Sequence, residues 1–150
     1  MTTVTASFAI DRPVGEVFAY AADRRNRREM LPDNFTDFEL GDGPTEGLGA
    51  TFRFTIRSGR GDAASETTIV AFNPPTIFTE QNLTGDYSYQ TRGSFLPDCD
   101  GAIVHLTVEY PAPAGILNRL LDRGVARRAL RRSLMVELVR LAAAIEGKAR

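Results

Sequence analysis

The sequence predicts an α+β fold: a curved antiparallel sheet of six or seven strands wrapped around a long C-terminal helix, with two short helices after the first strand. Three observations carry this. From about Phe35 to Tyr110, apolar residues recur at every second position in short runs broken by Gly, Pro, Asn and Asp. From Ile116 to about Glu146 the chain runs without proline, and its apolar residues recur at a period near 3.6. Near the start, one alternating run gives way to a helical pattern entered through Pro13.

Val4, Ala6, Phe8 and Ile10 alternate with polar or small residues, which makes Val4 to Ile10 a half-buried strand. Asp11 or Arg12 can cap a helix over Val14 to about Ala22, with Val14, Val17, Phe18 and Ala21 on its buried face. A second short helix fits Arg24 to Leu31 and stops at Pro32. Phe38 and Leu40 open the next strand, and a Gly-rich turn follows it. Thr51 to Arg57 places Phe52, Phe54 and Ile56 on one face. Ser65 to Phe72 reads with Thr68, Val70 and Phe72 on one side, and Asn73-Pro74-Pro75 turns the chain. Strands around Ile77 to Leu83 and Tyr87 to Leu96 flank a Thr84-Gly85-Asp86 connection. Ala102, Val104, Leu106, Val108 and Tyr110 form one side of the last strand. The apolar face of this meander needs a cover. Leu120, Leu134, Leu138, Leu141 and Ile145 supply it, widened by Leu117, Leu121, Leu130, Met135 and Ala142. Gly124 marks a break between a short first section and the main helix.

A chain of 150 residues suits one domain with one core, so residues 1–150 are read as a single unit. The lone Cys99 excludes an internal disulfide and fits a reducing compartment. No apolar run of about 18 residues is present to span a bilayer, so no stable membrane insertion is expected. The first residues lack the pattern of a secretory leader, and the cytoplasm is the default location. The net charge of −1 disfavours a nucleic-acid binder. It also conceals a division. Residues 116–150 carry nine basic and three acidic side chains, a net of +6; residues 1–115 carry nine and sixteen, a net of −7.

The opening FAIDRPVGEVFAYAADRRNRREMLP (Phe8 to Pro32) and the closing GILNRLLDRGVARRALRRSLMVELVRLAAAIEG (Gly115 to Gly147) complete an order of elements that resembles the START-like helix-grip (SRPBCC) superfamily, in particular its polyketide cyclase/dehydrase and lipid-transport branch. The resemblance spans about Val4 to Glu146. It implies an elongated cavity between sheet and C-terminal helix, suited to hydrophobic ligand binding, lipid binding or cyclisation of polyketides. It carries no short catalytic signature, so no position inherits a role from it.

His105 is the only histidine, but Val104, Leu106 and Val108 claim the inner face and put it outside. Cys99 reads as a surface thiol in a turn. One histidine, one cysteine and scattered carboxylates form no metal-ligand spacing, and no cofactor is expected. Gly41, Gly43, Gly47 and Gly49 are not a phosphate loop, since no Lys-Ser/Thr pair follows; they read as a turn and the cavity mouth, with Met30 and Leu31 beside it. Phe52, Phe54, Phe72 and Phe95 are candidate walls, as are Leu120 and Met135 on the helix. Tyr87 and Tyr89 share a face with Thr91 and Phe95 and can orient a carbonyl or phenolic ligand, or stand at an edge with both hydroxyls in water; in the reverse register Gln90 and Arg92 point inward instead. Arg127, Arg128, Arg131 and Arg132 crowd one helix, with Arg119 and Arg123 upstream. Their stems can snorkel to an edge, Arg128 or Arg131 can enter the cavity, or the group can face a partner.

These readings favour a cavity for a small, mostly apolar or aromatic, polyketide-like molecule. The alternatives are a polyketide cyclase/dehydratase-like enzyme using Tyr87, Tyr89, Arg128 and Arg131 for positioning or proton transfer, and a protein–protein interaction module built on the arginine-rich helix. A homodimer stays open.

Overall fold

The computed structural model describes residues 2–57, 59, 61–85, 87–110 and 123–147. Strand β1 (Thr2–Ile10) leads into α1 (Val14–Ala22) and a 3-10 helix (Arg24–Glu29). Strands β2 (Phe35–Leu40), β3 (Thr51–Ile56), β4 (Ala63–Asn73), β5 (Ile77–Thr84), β6 (Tyr87–Asp98) and β7 (Gly101–Tyr110) follow, and α2 (Arg123–Gly147) closes the described chain. The seven strands form one antiparallel sheet in the order β1-β7-β6-β5-β4-β3-β2. Sheet and C-terminal helix together make the helix-grip arrangement.

Period-two alternation builds the inner face. Val4, Ala6 and Ile10 of β1 and Ala102, Val104, Leu106 and Val108 of β7 are buried, and they meet Leu134, Leu138, Leu141, Ala142 and Ile145 of α2. The helix packs chiefly on β1, with lesser contact to β7, α1 and the 3-10 helix. It therefore grips one side of the sheet. Toward β4–β6 the core is aromatic. The Phe18 ring of α1 lies 5.5 Å from Phe72, 5.7 Å from Phe78 and 5.1 Å from Phe95. Gly93 makes room for this group: a Cβ there would stand 3.0 Å from Phe95 and 3.4 Å from Phe78. A second cluster at the β2–β3 end stacks Phe35 on Phe54 and Phe38 on Phe52, with Leu31 beneath.

Two elements differ from the sequence reading. The segment after α1 is a 3-10 helix over Arg24–Glu29, capped by Asp23, whose carboxylate accepts from the Arg25 backbone N–H. In β4 the inner residues are Ser65, Thr67 and Ile69, while Val70 is exposed. A bulge between Ile69 and Ala71 then returns Phe72 to the inner side opposite Phe78. Strict alternation joins Thr68 and Val70 to Phe72; one extra residue in the strand breaks that link. Residues 116–122 of the predicted helix, with Leu117, Arg119, Leu120 and Leu121, lie outside the described residues. Gly124 lies within α2.

The loop between β2 and β3 extends the sheet before turning. The Gly49 N–H donates to the Ile69 carbonyl and the Ile69 N–H to the Ala50 carbonyl, with Gly47 and Gly49 at φ of +81° and +84°. It is tied to the 3-10 helix by the Arg24 N–H, which donates to the Thr45 carbonyl at 2.9 Å. No described helix is long and apolar enough to cross a membrane.

Leu138 is fully buried, whereas its neighbour Val139 is 48% exposed. Leu138→Ala is expected to cost about 2–5 kcal/mol of stability and Val139→Ala less than about 0.5 kcal/mol, measured by urea unfolding. Equal losses would mean that α2 is not seated on the sheet as described.

Candidate functional site

The inner surface is not apolar throughout. On the β4–β6 side, away from the main seat of α2, inward positions carry Ser65 and Thr67, Glu80 and Asn82, and Tyr89 and Thr91. Each lies in phase with a core residue of its own strand: Ile69, Phe78 and Phe95. Two arginines of the 3-10 helix and Glu137 of α2 close on this surface. The result is a buried row of alternating charge.

Arg24 has a fully buried side chain, and its Nη1 lies 3.3 Å from Glu80 Oε2. Arg27, 9% exposed at the side chain, places Nη2 at 3.0 Å from Glu137 Oε1 and 4.0 Å from Glu80 Oε1. Arg27 also directs Nη1 at the Met30 sulfur, 3.9 Å away. Two cations thus face two anions, which is the condition for burying any of them. The hydrogen bonding is less complete than the charge balance. Among the described residues, no nitrogen of the Arg24 guanidinium makes a well-aligned hydrogen bond, and neither does Nε of Arg27. Buried donors in such number call for a partner.

The environment moves these groups in different directions. Burial works against the charge of Glu80, but Arg24 and Arg27 outweigh it and hold the carboxyl below its usual range. Glu137 is pushed up, chiefly by burial; Arg27 opposes the shift and Glu80 adds to it. Burial lowers the pKa of Arg24, with Glu80 opposing. For Arg27 the burial penalty is exceeded by the attraction of Glu80 and Glu137. Tyr89, half-buried beside them, is raised mainly by burial, and its hydroxyl lies 3.4 Å from Thr84 Oγ1. Asn82 Nδ2 donates to Thr91 Oγ1 at 2.8 Å. The row therefore brings together a carboxyl of raised proton affinity, a phenolic hydroxyl and guanidinium N–H groups without a well-aligned hydrogen bond.

The residues singled out from sequence fall into separate places. Tyr89 stands within the polar row, on the inner face with Thr91 and Phe95, while Gln90 and Arg92 face out; Arg92 lies 3.7 Å from Glu109 on the outer side. Tyr87, at the strand end, is 40% exposed, with its ring 6.1 Å from that of Tyr89. Met30, Leu31, Phe52, Phe54 and Phe95 are buried, and Phe72 and Met135 are half-buried against the core. Leu120 lies outside the described residues. Arg128 and Arg131 are exposed, as are Arg127 and Arg132, so these arginines do not enter the interior. Their long stems reach solvent from the margin of the α2 stripe, and Arg127 donates to the Thr3 carbonyl of the edge strand. His105 is on the outer face, with Nδ1 2.5 Å from Ser7 Oγ, and Cys99 is exposed. An open groove of about 470 Å³ is bordered by Arg53, Glu66 and Leu83, and none of Arg24, Arg27, Glu80 and Glu137 lines it.

Sequence reasoning does not find Arg24, Arg27, Glu80 and Glu137. A signal is present in Phe78-Glu80-Asn82-Thr84, which alternates in phase with a core aromatic residue. Ile77 and Leu83 on the opposite face mask it.

Residues 1–146 match the family described as "Polyketide cyclase / dehydrase and lipid transport". The chain belongs to this family. Among curated proteins none matches it. Similar solved structures include TTHA0849 from Thermus thermophilus, at 20% identity and a TM-score of 0.79, with 99% of this chain and 100% of that one covered. The KanY protein in solution aligns at 17% identity and a TM-score of 0.78, with 97% of each chain covered. The di-domain ARO/CYC StfQ from the steffimycin biosynthetic pathway aligns at 14% identity and a TM-score of 0.73, over 98% of this chain and 51% of that one. At these identities the likeness is one of fold.

The buried charges should be visible in unfolding experiments. Glu80→Gln leaves Arg24 buried without its counter-charge and is expected to cost about 3–5 kcal/mol, most of it recovered when Arg24→Met and Glu80→Leu are made together. Chemical unfolding of the single and paired variants reads this, and additive losses would refute it. The two carboxyls also act oppositely with pH. The lowered pKa of Glu80 supplies stability that is complete above its unfolded value and lost as pH falls through the folded one. The raised pKa of Glu137 costs stability as pH rises from its unfolded value through the folded one. Relative to wild type, Glu137→Gln should therefore gain stability across the pH window that opens above the ordinary Glu value of about 4.3. A loss across that window, in unfolding curves at several pH values, would reverse the assignment.

Proposed function

We propose that this protein binds a small, mostly apolar ligand between the β4–β6 side of the sheet and α2, with the ligand's polar end at Tyr89, Arg27 and Glu137. One observation carries the reading: a row of charged and polar side chains is buried on the inner face, and several of its guanidinium N–H groups lack a hydrogen-bond partner among the described residues. A site that is apolar in bulk with a few polar groups at one end is the usual form for small-molecule recognition. Tyr89 of β6 and Leu130 and Met135 of α2 are only half-buried against the core and leave apolar surface uncovered. Membership of a family described by lipid transport and polyketide chemistry supports the same reading.

A second reading, a cyclase or dehydratase-like enzyme, is favoured by Glu137. A buried carboxyl with raised proton affinity, held by an arginine, is suited to taking and returning a proton. Exposure of Arg128, Arg131 and Arg132 on α2 supports a contact with an acidic partner, which does not compete with either reading for the interior.

Native mass spectrometry of protein purified from its own host tests the first reading. A retained small molecule is the expected result; no retained molecule, together with no uptake of neutral apolar dyes, would refute it. For the molecule found, Tyr89→Phe should weaken binding by about 2–10-fold, the worth of one hydrogen bond, while Arg128→Ala leaves affinity unchanged. Turnover of a poly-β-ketone substrate that Glu137→Gln abolishes would establish the second reading.

A further inference from the structure

The buried row also bears on the chemistry of the ligand's polar end, provided that the interior binds an apolar molecule as proposed above. We infer that the site selects an electrically neutral, hydroxyl- or carbonyl-bearing ligand and rejects the carboxylate and ammonium forms of the same carbon skeleton.

An entering group meets charges that are already paired. A lone buried arginine would attract an anion. Here Arg27 is already engaged by Glu137 at 3.0 Å and has Glu80 at 4.0 Å, and Arg24 is spoken for electrostatically by Glu80 at 3.3 Å. The two guanidinium groups and two carboxylates sum to zero when all four are ionised. A fifth charge of either sign must then be desolvated with no counter-charge available to it. Position adds a further obstacle for an anion. Arg24 has no exposed side-chain surface, whereas Glu137 is 12% and Arg27 9% exposed at the side chain. An incoming carboxylate therefore finds Arg27 only together with Glu137, 3.0 Å from it. An ammonium ion in turn meets Arg27 beside Glu137.

A neutral oxygen has no such conflict. Oε1 of Glu137 accepts from Arg27, and its Oε2 takes part in no hydrogen bond among the described residues, so it can accept from a ligand hydroxyl. Arg27 Nε lacks a partner among the described residues, and the Tyr89 hydroxyl has only a long contact to Thr84; either can donate to a ligand oxygen. Acceptor and donors of this kind suit an alcohol, an enol or a phenol, and the donors alone suit a ketone. They offer a third carboxylate no uncontested cation.

The test compares three probes with one carbon chain: dodecanol, dodecanoate and dodecylamine. They are titrated against full-length protein carrying Nile red, a neutral dye, at about pH 8, where the acid is ionised and the amine protonated. Dodecanol should displace the dye at a concentration at least about tenfold lower than either ion, since like-charge contact and an unpaired buried charge each disfavour the ions by more than that factor. Glu137→Gln should narrow the gap between dodecanoate and dodecanol by about tenfold, because removing one carboxylate leaves the arginines in excess. Dodecanoate binding as tightly as dodecanol to the wild-type protein would overturn the inference while leaving apolar-ligand binding intact. Failure of all three probes to bind would overturn both. The wild-type comparison stands even if the Gln variant does not fold.

Discussion

Burying a guanidinium is unfavourable by several kcal/mol unless an anion comes with it, and in this protein that requirement joins elements far apart in the chain. Arg24 and Arg27 come from the 3-10 helix, Glu80 from the middle of β5, and Glu137 from the second half of α2. Arg24 depends on Glu80 and Arg27 on Glu137, and Glu80, 4.0 Å from Arg27, links the two pairs. The row thereby sets how closely the 3-10 helix approaches the sheet and how α2 is rotated above it. Apolar packing alone would leave more freedom, because Leu138 and its neighbours seat α2 mainly on β1 and do not specify what faces β4–β6.

The same row gives the interior two unlike halves. On the β1–β7 side, Val4, Val104, Leu106 and Val108 meet the leucines of α2, and this half supplies most of the apolar burial. On the β4–β6 side the strands present hydroxyl, amide, phenol and carboxyl groups inward. Natural cores keep such groups only where they are paired, and several here are paired in charge but not in hydrogen bonds. On that incompleteness the proposed site rests. In the proposed site, charge balance also constrains what is accepted, since an environment that is neutral in sum and polar in detail favours dipoles over ions.

The surface follows a separate logic. Arg128, Arg131 and Arg132 take no part in the interior, and cross-strand pairs such as Arg53 with Glu66 and Arg57 with Asp37 lie on exposed strands, where screening leaves each worth little. The division between a basic C-terminal helix and an acidic body is therefore mostly a property of the outside. Inside, the charges cancel. The arginines that matter to the interior are in the early RRNRRE segment, not in the more conspicuous cluster on α2.

Local periodicity was enough for the order and type of the elements, the inward phase of β1, β3 and β7, and the apolar stripe of α2, because each depends on neighbours two or four residues away. It failed at β4, where a bulge resets the alternation, and at the RRNRRE segment, whose composition reads as solvated. Whether an arginine is exposed or buried is not a local property. It depends on whether a carboxylate stands within a few ångströms, and here those carboxylates come from residues 80 and 137. Sequence alone thus determined that a sheet would close on a helix around a shared interior. Only the tertiary structure decided which charges entered that space, because burial of a charge is settled by its partner.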